Sequence, residues 1–224
     1  MDTKDYRLER MKNYEGMLLS DGAYNITIGL TLLWGFLINA GMIFFLSPYI
    51  LKIHPGIMIA SYLVLSLGCI TLVVKSRKPA LSFLGFTGLA VGMGLVITFI
   101  VSMYSGTTVY SAFLATGIIV VSMMIISTIK PAFFMSIGRS LVYALLGSIA
   151  IELIGGLIFR MPLTWMDYVV VVIFAGFIGY DWARANTCAY TVNNAIDLSA
   201  CLYLDIINLF LRILSIVMRK NDRD

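Results

Sequence analysis

Charge is absent from this chain over long stretches. Residues 22–51 form an uncharged run of 30, residues 53–74 one of 22 and residues 79–129 one of 51. A helix crossing a bilayer needs about 20 apolar residues, so the first two runs predict one span each and the third predicts two. Tyr104-Ser105-Gly106-Thr107-Thr108-Val109-Tyr110, polar and rimmed by tyrosines, divides the third run near its middle. The pattern therefore places spans at 25–46, 55–74, 80–103 and 111–129. Beyond residue 130 charge interrupts the apolar runs. Residues 140–159, bounded by Arg139 and Arg160, predict a fifth span that contains Glu152. Residues 163–181 predict a sixth ending on Asp181, and residues 197–217 a seventh with Asp205 inside it. The organisation is a short cytoplasmic tail (1–24), one seven-helix transmembrane domain (25–217) and a polar C-terminal tail (218–224).

Composition supports the same class. Of the 224 residues 60% are hydrophobic and 12% charged, against about 25% charged in soluble domains. This excludes a water-soluble globule, and it excludes disorder, which needs many charges and few apolar residues. The net charge of +4 would suggest nucleic acid in a soluble protein. Here the basic residues flank apolar segments, where Lys and Arg mark the cytoplasmic side. With the N-terminus inside, that side holds Lys4, Arg7, Arg10, Lys12, Lys75, Arg77, Lys78, Lys130, Arg139 and Arg184, while the opposite side of the first six spans holds Lys52 and Arg160. The N-terminus is expected in the cytoplasm. Arg212, Arg219, Lys220 and Arg223 leave two readings open: charge favours a re-entrant last segment, and the length of 197–217 favours a full crossing. The first 21 residues lack the apolar stretch of a signal peptide.

Most of the usual chemistry is missing. Cys69, Cys188 and Cys201 are an odd number and read as packing residues rather than a disulfide framework. His54 is the only histidine and reads as a solvated loop residue beside Pro55, with no metal-ligand pair near it. Gly88 and Gly92 form a GxxxG, which permits close helix approach.

What remains is carboxylates at membrane depth. An aspartate at the centre of a spanning helix costs roughly 2.5–3.5 kcal/mol on insertion scales, so it must face protein or water. Cys201, Asp205, Asn208 and Arg212 recur at intervals of four, three and four and share one helix face. Either this polar stripe lines a path, or Asp205 is simply hydrogen-bonded to a neighbouring helix. Asp181, near an interface, has hydration as its plainer alternative. Glu152 reads equally as a second contact in the path or as a protonated glutamate in an interhelical hydrogen bond. Asp167 and Asp197 read as N-caps of the sixth and seventh spans.

Tyr180-Asp181, followed 24 residues after the aspartate by the aspartate of Leu202-Tyr203-Leu204-Asp205-Ile206-Ile207-Asn208-Leu209-Phe210, resembles the transmembrane Bax inhibitor motif family. Pro79-Ala80-Leu81-Ser82-Phe83 and Ala112-Phe113-Leu114-Ala115-Thr116 are similar to further family segments. The resemblance covers roughly 25–217, and the short tails point to a bacterial member. It implies an all-α integral membrane fold of seven helices in which the last is central and wrapped by the other six. It also implies a pH-sensitive calcium leak in which the pair Asp181 and Asp205 senses protons and gates the pore; since hard cations prefer oxygen ligands, the two aspartates are also expected to bind calcium transiently. A basic residue near Lys75 would interact with the pair. Two departures stand out: residues 53–74 lack the acidic residue common in relatives, and Trp182 to Ala200 is unlike the family's loop.

Arg184 is a second candidate latch partner, and Asn208, Arg212 and Glu152 are candidate pore-face residues. No catalytic residue and no organic cofactor are expected; the partners expected are the bacterial inner membrane and calcium ions. Two other classes compete. An intramembrane aspartyl protease also uses two aspartates sharing a proton, but Leu202-Tyr203-Leu204-Asp205 departs from the Gly-x-Gly-Asp of presenilin-type enzymes. A non-conducting regulator that binds other membrane proteins would use the same aspartates for folding alone.

Overall fold

The structure, a computed structural model, describes residues 18–76, 78–158 and 163–221. The expectations for residues 1–17, Arg77, residues 159–162 and residues 222–224 lie outside the described residues. Among the described residues there is no strand, and seven helices are long and apolar enough to cross a membrane. The chain is an all-α, multi-pass membrane protein. Helix α1 spans Asp21–Ile50, α2 Pro55–Lys75, α3 Pro79–Val101, α4 Gly106–Ile129, α5 Pro131–Leu153, α6 Met166–Ala185 and α7 Val192–Asn221.

Local chemistry explains the starts. The Ser20 side chain accepts the Ala23 N–H at 3.2 Å and caps α1. Helices α2, α3 and α5 begin on Pro55, Pro79 and Pro131, where the missing N–H has no intrahelical partner to lose. His54 is exposed, and it also caps α2, Nδ1 accepting from Gly56 N at 3.2 Å. Pro48 lies in the last turn of α1 and cannot donate to the preceding turn. A π turn, Met42–Leu46, comes just before it and takes up the mismatch. A second π turn, Ile154–Ile158, carries the Gly155-Gly156 pair and extends α5.

Several span boundaries differ from the sequence reading: the first helix runs over 21–50 rather than 25–46, and the fourth begins at Gly106 rather than 111, inside the stretch read as a break. The fifth helix begins at Pro131 rather than 140, so Arg139 lies inside it, exposed on its surface. A long arginine stem can lie along apolar surface while its head reaches the interface, so the charge marks no helix end. The sixth helix runs past Asp181 to Ala185, and the seventh begins at Val192 rather than 197. Of the stretch from Trp182 to Ala200, only residues 186–191 lie between helices.

The chain divides into two compact units, and α7 contributes to both: residues 192–203 belong to one and 204–221 to the other. The first unit holds α1, α2 and α3 with residues 188–203. Its α2–α3 seam depends on small residues. Gly88 faces the Cys69 side chain, and Gly92 faces Leu65 and Ser66. The GxxxG therefore serves helix packing within this unit. Tyr203, fully buried, sits edge-on to Phe86 at 5.5 Å, and its hydroxyl accepts from Asn39 Nδ2 at 2.6 Å. Tyr24 stacks on Tyr190 at 4.3 Å and its hydroxyl meets Cys188 Sγ at 3.1 Å. None of the three cysteines is in a disulfide.

The second unit holds α4, α5 and α6 with residues 204–221 of α7. Helix α6 packs against both α4 and α5. Glycines again set the approach: Gly138 faces the Tyr180 ring, Gly179 the Phe134 ring and Gly176 the Leu141 side chain. Ser127 Oγ donates to the Gly179 carbonyl at 2.5 Å, and Trp182 Nε1 to Thr128 Oγ1 at 2.9 Å. These contacts fix the last turns of α6, where Asp181 sits.

Candidate functional site: a buried aspartate pair

The chemistry of the second unit begins with where α6 can put a carboxylate. The close seating of Gly176 and Gly179 on α5, with the Ser127 bond from α4, leaves Asp181 turned inward and 5% exposed. Asp205 of α7 is 9% exposed. The structure brings these two side chains within hydrogen-bonding range of each other. Arg184, one turn beyond Asp181 on the same helix, places Nη1 3.4 Å from Asp181 Oδ1. The second carboxyl oxygen of Asp205, Oδ2, is buried without a hydrogen-bond partner.

Charge arithmetic defines what this arrangement can do. Two carboxylates and one guanidinium carry a net −1, and one proton shared by the carboxyls brings the group to zero. In a low-dielectric site two facing carboxylates repel strongly unless a proton or a cation lies between them. A calcium ion is the other species able to compensate it, since hard cations take oxygen ligands. Among the described residues no three His, Cys, Asp or Glu side chains cluster as a metal site. Two carboxylates supply few of the six to eight oxygens that a resident calcium takes.

The remaining candidates fall elsewhere. Asn208 is half-buried and its Nδ2 donates to the Leu204 carbonyl at 2.8 Å, within its own helix. Arg212 holds Glu152 in a two-pronged ion pair, Nη1–Oε1 2.6 Å and Nη2–Oε2 2.8 Å, and also bonds Asp167 Oδ1 at 2.8 Å. Asp167 accepts further from Ser215 Oγ at 3.1 Å and is paired with Arg219. These groups line a cavity of about 360 Å³ with Gly156, Leu163 and Thr164. Lys75 ends α2 in the other unit and is exposed.

Three expectations are corrected here. Glu152 is a partner of Arg212, not a lone glutamate in a neutral interhelical bond. Asp167 is no cap: Trp165 holds the N-cap position, and Asp167 lies in the first turn, buried between two arginines. Asp197 lies within α7, accepting from Ser82 Oγ at 3.1 Å and Asn193 Nδ2 at 3.2 Å. Both aspartates were misplaced because α6 and α7 start where neither carboxylate can cap them. The network of Glu152 and Asp167 with Arg212 and Arg219 was missed. Its one sequence signal is the spacing of the arginines, seven apart on one face of α7.

The family model described as "Inhibitor of apoptosis-promoting Bax1" matches residues 21–223. An uncharacterized protein of Lactococcus lactis, YrjE, is 30% identical over 186 residues, 80% of this chain and 74% of that one. An uncharacterized membrane protein of Streptococcus pyogenes is 29% identical over 135 residues, 57% of this chain and 59% of its own length.

Proposed function

Because the chain belongs to the Bax inhibitor family of membrane proteins, as a bacterial member, we propose that it is a pH-sensitive calcium leak channel gated by Asp181 and Asp205. The observation that carries this reading is the pair itself, one buried carboxylate from each of two spanning helices with one guanidinium beside them. A proton shared between the carboxyls holds α6 and α7 together as a latch. When it leaves, the second negative charge outruns what Arg184 can offset, and the helices separate or a calcium ion is drawn in. Asp205 is the transient site for the passing ion. Calcium is the cargo, and the reading requires no cofactor and no catalysis. The Lys and Arg distribution supports an N-terminus in the cytoplasm, and the bacterial relatives support placement in the bacterial inner membrane.

The test is calcium flux into vesicles containing only the purified protein, between pH 5 and 8, for wild type, Asp181→Asn and Asp205→Asn. Wild type should leak calcium with a pH-dependent rate. Asp181→Asn should flatten the pH profile, since an amide neither shares the proton nor repels Asp205. Asp205→Asn should change the flux while thermal unfolding stays cooperative. Absence of flux in wild type would sink the channel and favour a non-conducting regulator. Identical pH profiles in wild type and Asp181→Asn would sink the latch alone.

A further inference from the structure

In the first unit, hydrogen bonds tie Ser76, at the end of α2, to its neighbours. Ser76 N donates to the Leu72 carbonyl at 3.1 Å, Ser76 Oγ donates to the Lys78 carbonyl at 3.0 Å, and Asn193 Nδ2 donates to the Ser76 carbonyl at 3.2 Å. At this end of α2 lies a cavity of about 420 Å³ lined by Thr71, Leu72, Lys75, Ser76, Lys78 and Leu81. Lys75 and Lys78 are exposed, and neither has a carboxylate partner among the described residues. The membrane-depth carboxylates are engaged elsewhere: Glu152 and Asp167 by arginines, Asp181 by Arg184, and Asp197 by Ser82 and Asn193. The cavity thus has two ammonium groups with no carboxylate partner among the described residues and, from the spanning helices, two leucines.

Position and charge together define the occupant. The cavity sits where α2 ends and α3 begins, at the level of lipid headgroups for two spanning helices. The N-terminus of α3 adds the positive end of its dipole. An inorganic anion would satisfy the lysines and make no use of the exposed Leu72 and Leu81. A phospholipid satisfies both. We propose that this cavity binds the phosphodiester of an anionic phospholipid, with Lys75 and Lys78 flanking the phosphate and Leu72 and Leu81 against the first carbons of an acyl chain. Basic pockets between spanning helices take such headgroups elsewhere. The proposal is independent of calcium conduction.

The experiment titrates phosphatidylglycerol, phosphatidylcholine and inorganic phosphate separately onto delipidated protein in neutral detergent, reading bound lipid by native mass spectrometry and the unfolding temperature. Wild type should retain one phosphatidylglycerol in preference to phosphatidylcholine and unfold at higher temperature with it. Each lysine near the surface contributes about fivefold in binding, so Lys75→Gln/Lys78→Gln should bind roughly thirtyfold more weakly. Lys75→Arg/Lys78→Arg should keep the lipid. Lys52→Gln/Lys130→Gln, which removes two exposed lysines at other turns, should leave it unchanged. Equal losses in the two glutamine doubles would overturn the site in favour of diffuse attraction. Protection by inorganic phosphate equal to that by phosphatidylglycerol would overturn the lipid as occupant. If the Lys75→Gln/Lys78→Gln protein does not fold, equal wild-type retention of the two lipids overturns the proposal by itself.

Discussion

Replacing Arg212 with methionine tests how strongly the second unit depends on its ion network. The arginine side chain is 31% exposed, Glu152 26% and Asp167 9%. Three charge-assisted bonds of 2.6–2.8 Å are lost in the variant. Removing one partner from a buried ion pair costs about 3–5 kcal/mol, because the other charge is left uncompensated. Two features reduce that figure here. Arg219 and Ser215 still hold Asp167, and Glu152 is open enough for water to take over part of its solvation. We expect a loss of about 2–3 kcal/mol, which shifts the unfolding equilibrium roughly 30- to 150-fold.

Unfolding of the purified protein in mixed micelles, followed by circular dichroism as denaturing detergent is raised, measures this loss. A double-mutant cycle with Glu152→Gln isolates the pair. Once the glutamate is neutral, Arg212→Met should cost about 1–2 kcal/mol less than it does alone. A stability within about 0.5 kcal/mol of wild type, the range of an inert surface change, would refute the reasoning. So would strict additivity in the cycle.

Three smaller perturbations follow from other contacts. Asn39→Leu should destabilise by about 1–3 kcal/mol in the same unfolding assay, because it leaves the buried Tyr203 hydroxyl without its donor. Adding Tyr203→Phe should recover much of that loss. Gly138→Leu should lower the thermal unfolding temperature sharply, since even a Cβ at this position runs into the Tyr180 ring. Gly147→Ala, on the same helix with no atom within 4 Å of an added Cβ, should be neutral or stabilising by up to about 1 kcal/mol.

The seven spans were legible because the bilayer imposes one strong requirement, about 20 apolar residues per crossing. Four of the spans, drawn from three runs, meet it without charge. Asp181 and Asp205 stood out by the same logic, as carboxylates in segments where an unpartnered charge is costly. What pattern reading got wrong was the meaning of the remaining charges. By pattern alone Arg139, Asp167, Asp181 and Asp197 mark helix ends, yet each lies inside a helix. Hydropathy along a chain sees a charge only as a cost of insertion. It does not see the partner that offsets the cost, and here Arg212 meets Asp167 and Glu152 across 45 and 60 residues of sequence.

The stripe on α7 shows where periodicity stops being informative. Asp205 and Arg212 share a face because seven residues make nearly two turns, and that much follows from spacing. The same rise of about 1.5 Å per residue separates them by about 10 Å along the axis, so the face passes two different surroundings. Asp205 meets Asp181 near the end of α6, whereas Arg212 meets Asp167 at its start and Glu152 at the end of α5. Asn208 between them bonds back into its own helix. One polar stripe thus serves a titratable pair at one level and a closed ion network at another. Neutralising Asp205 and neutralising Arg212 should therefore separate experimentally. The first should act on the pH response of the proposed flux, and the second on the stability of the unit that holds the pair.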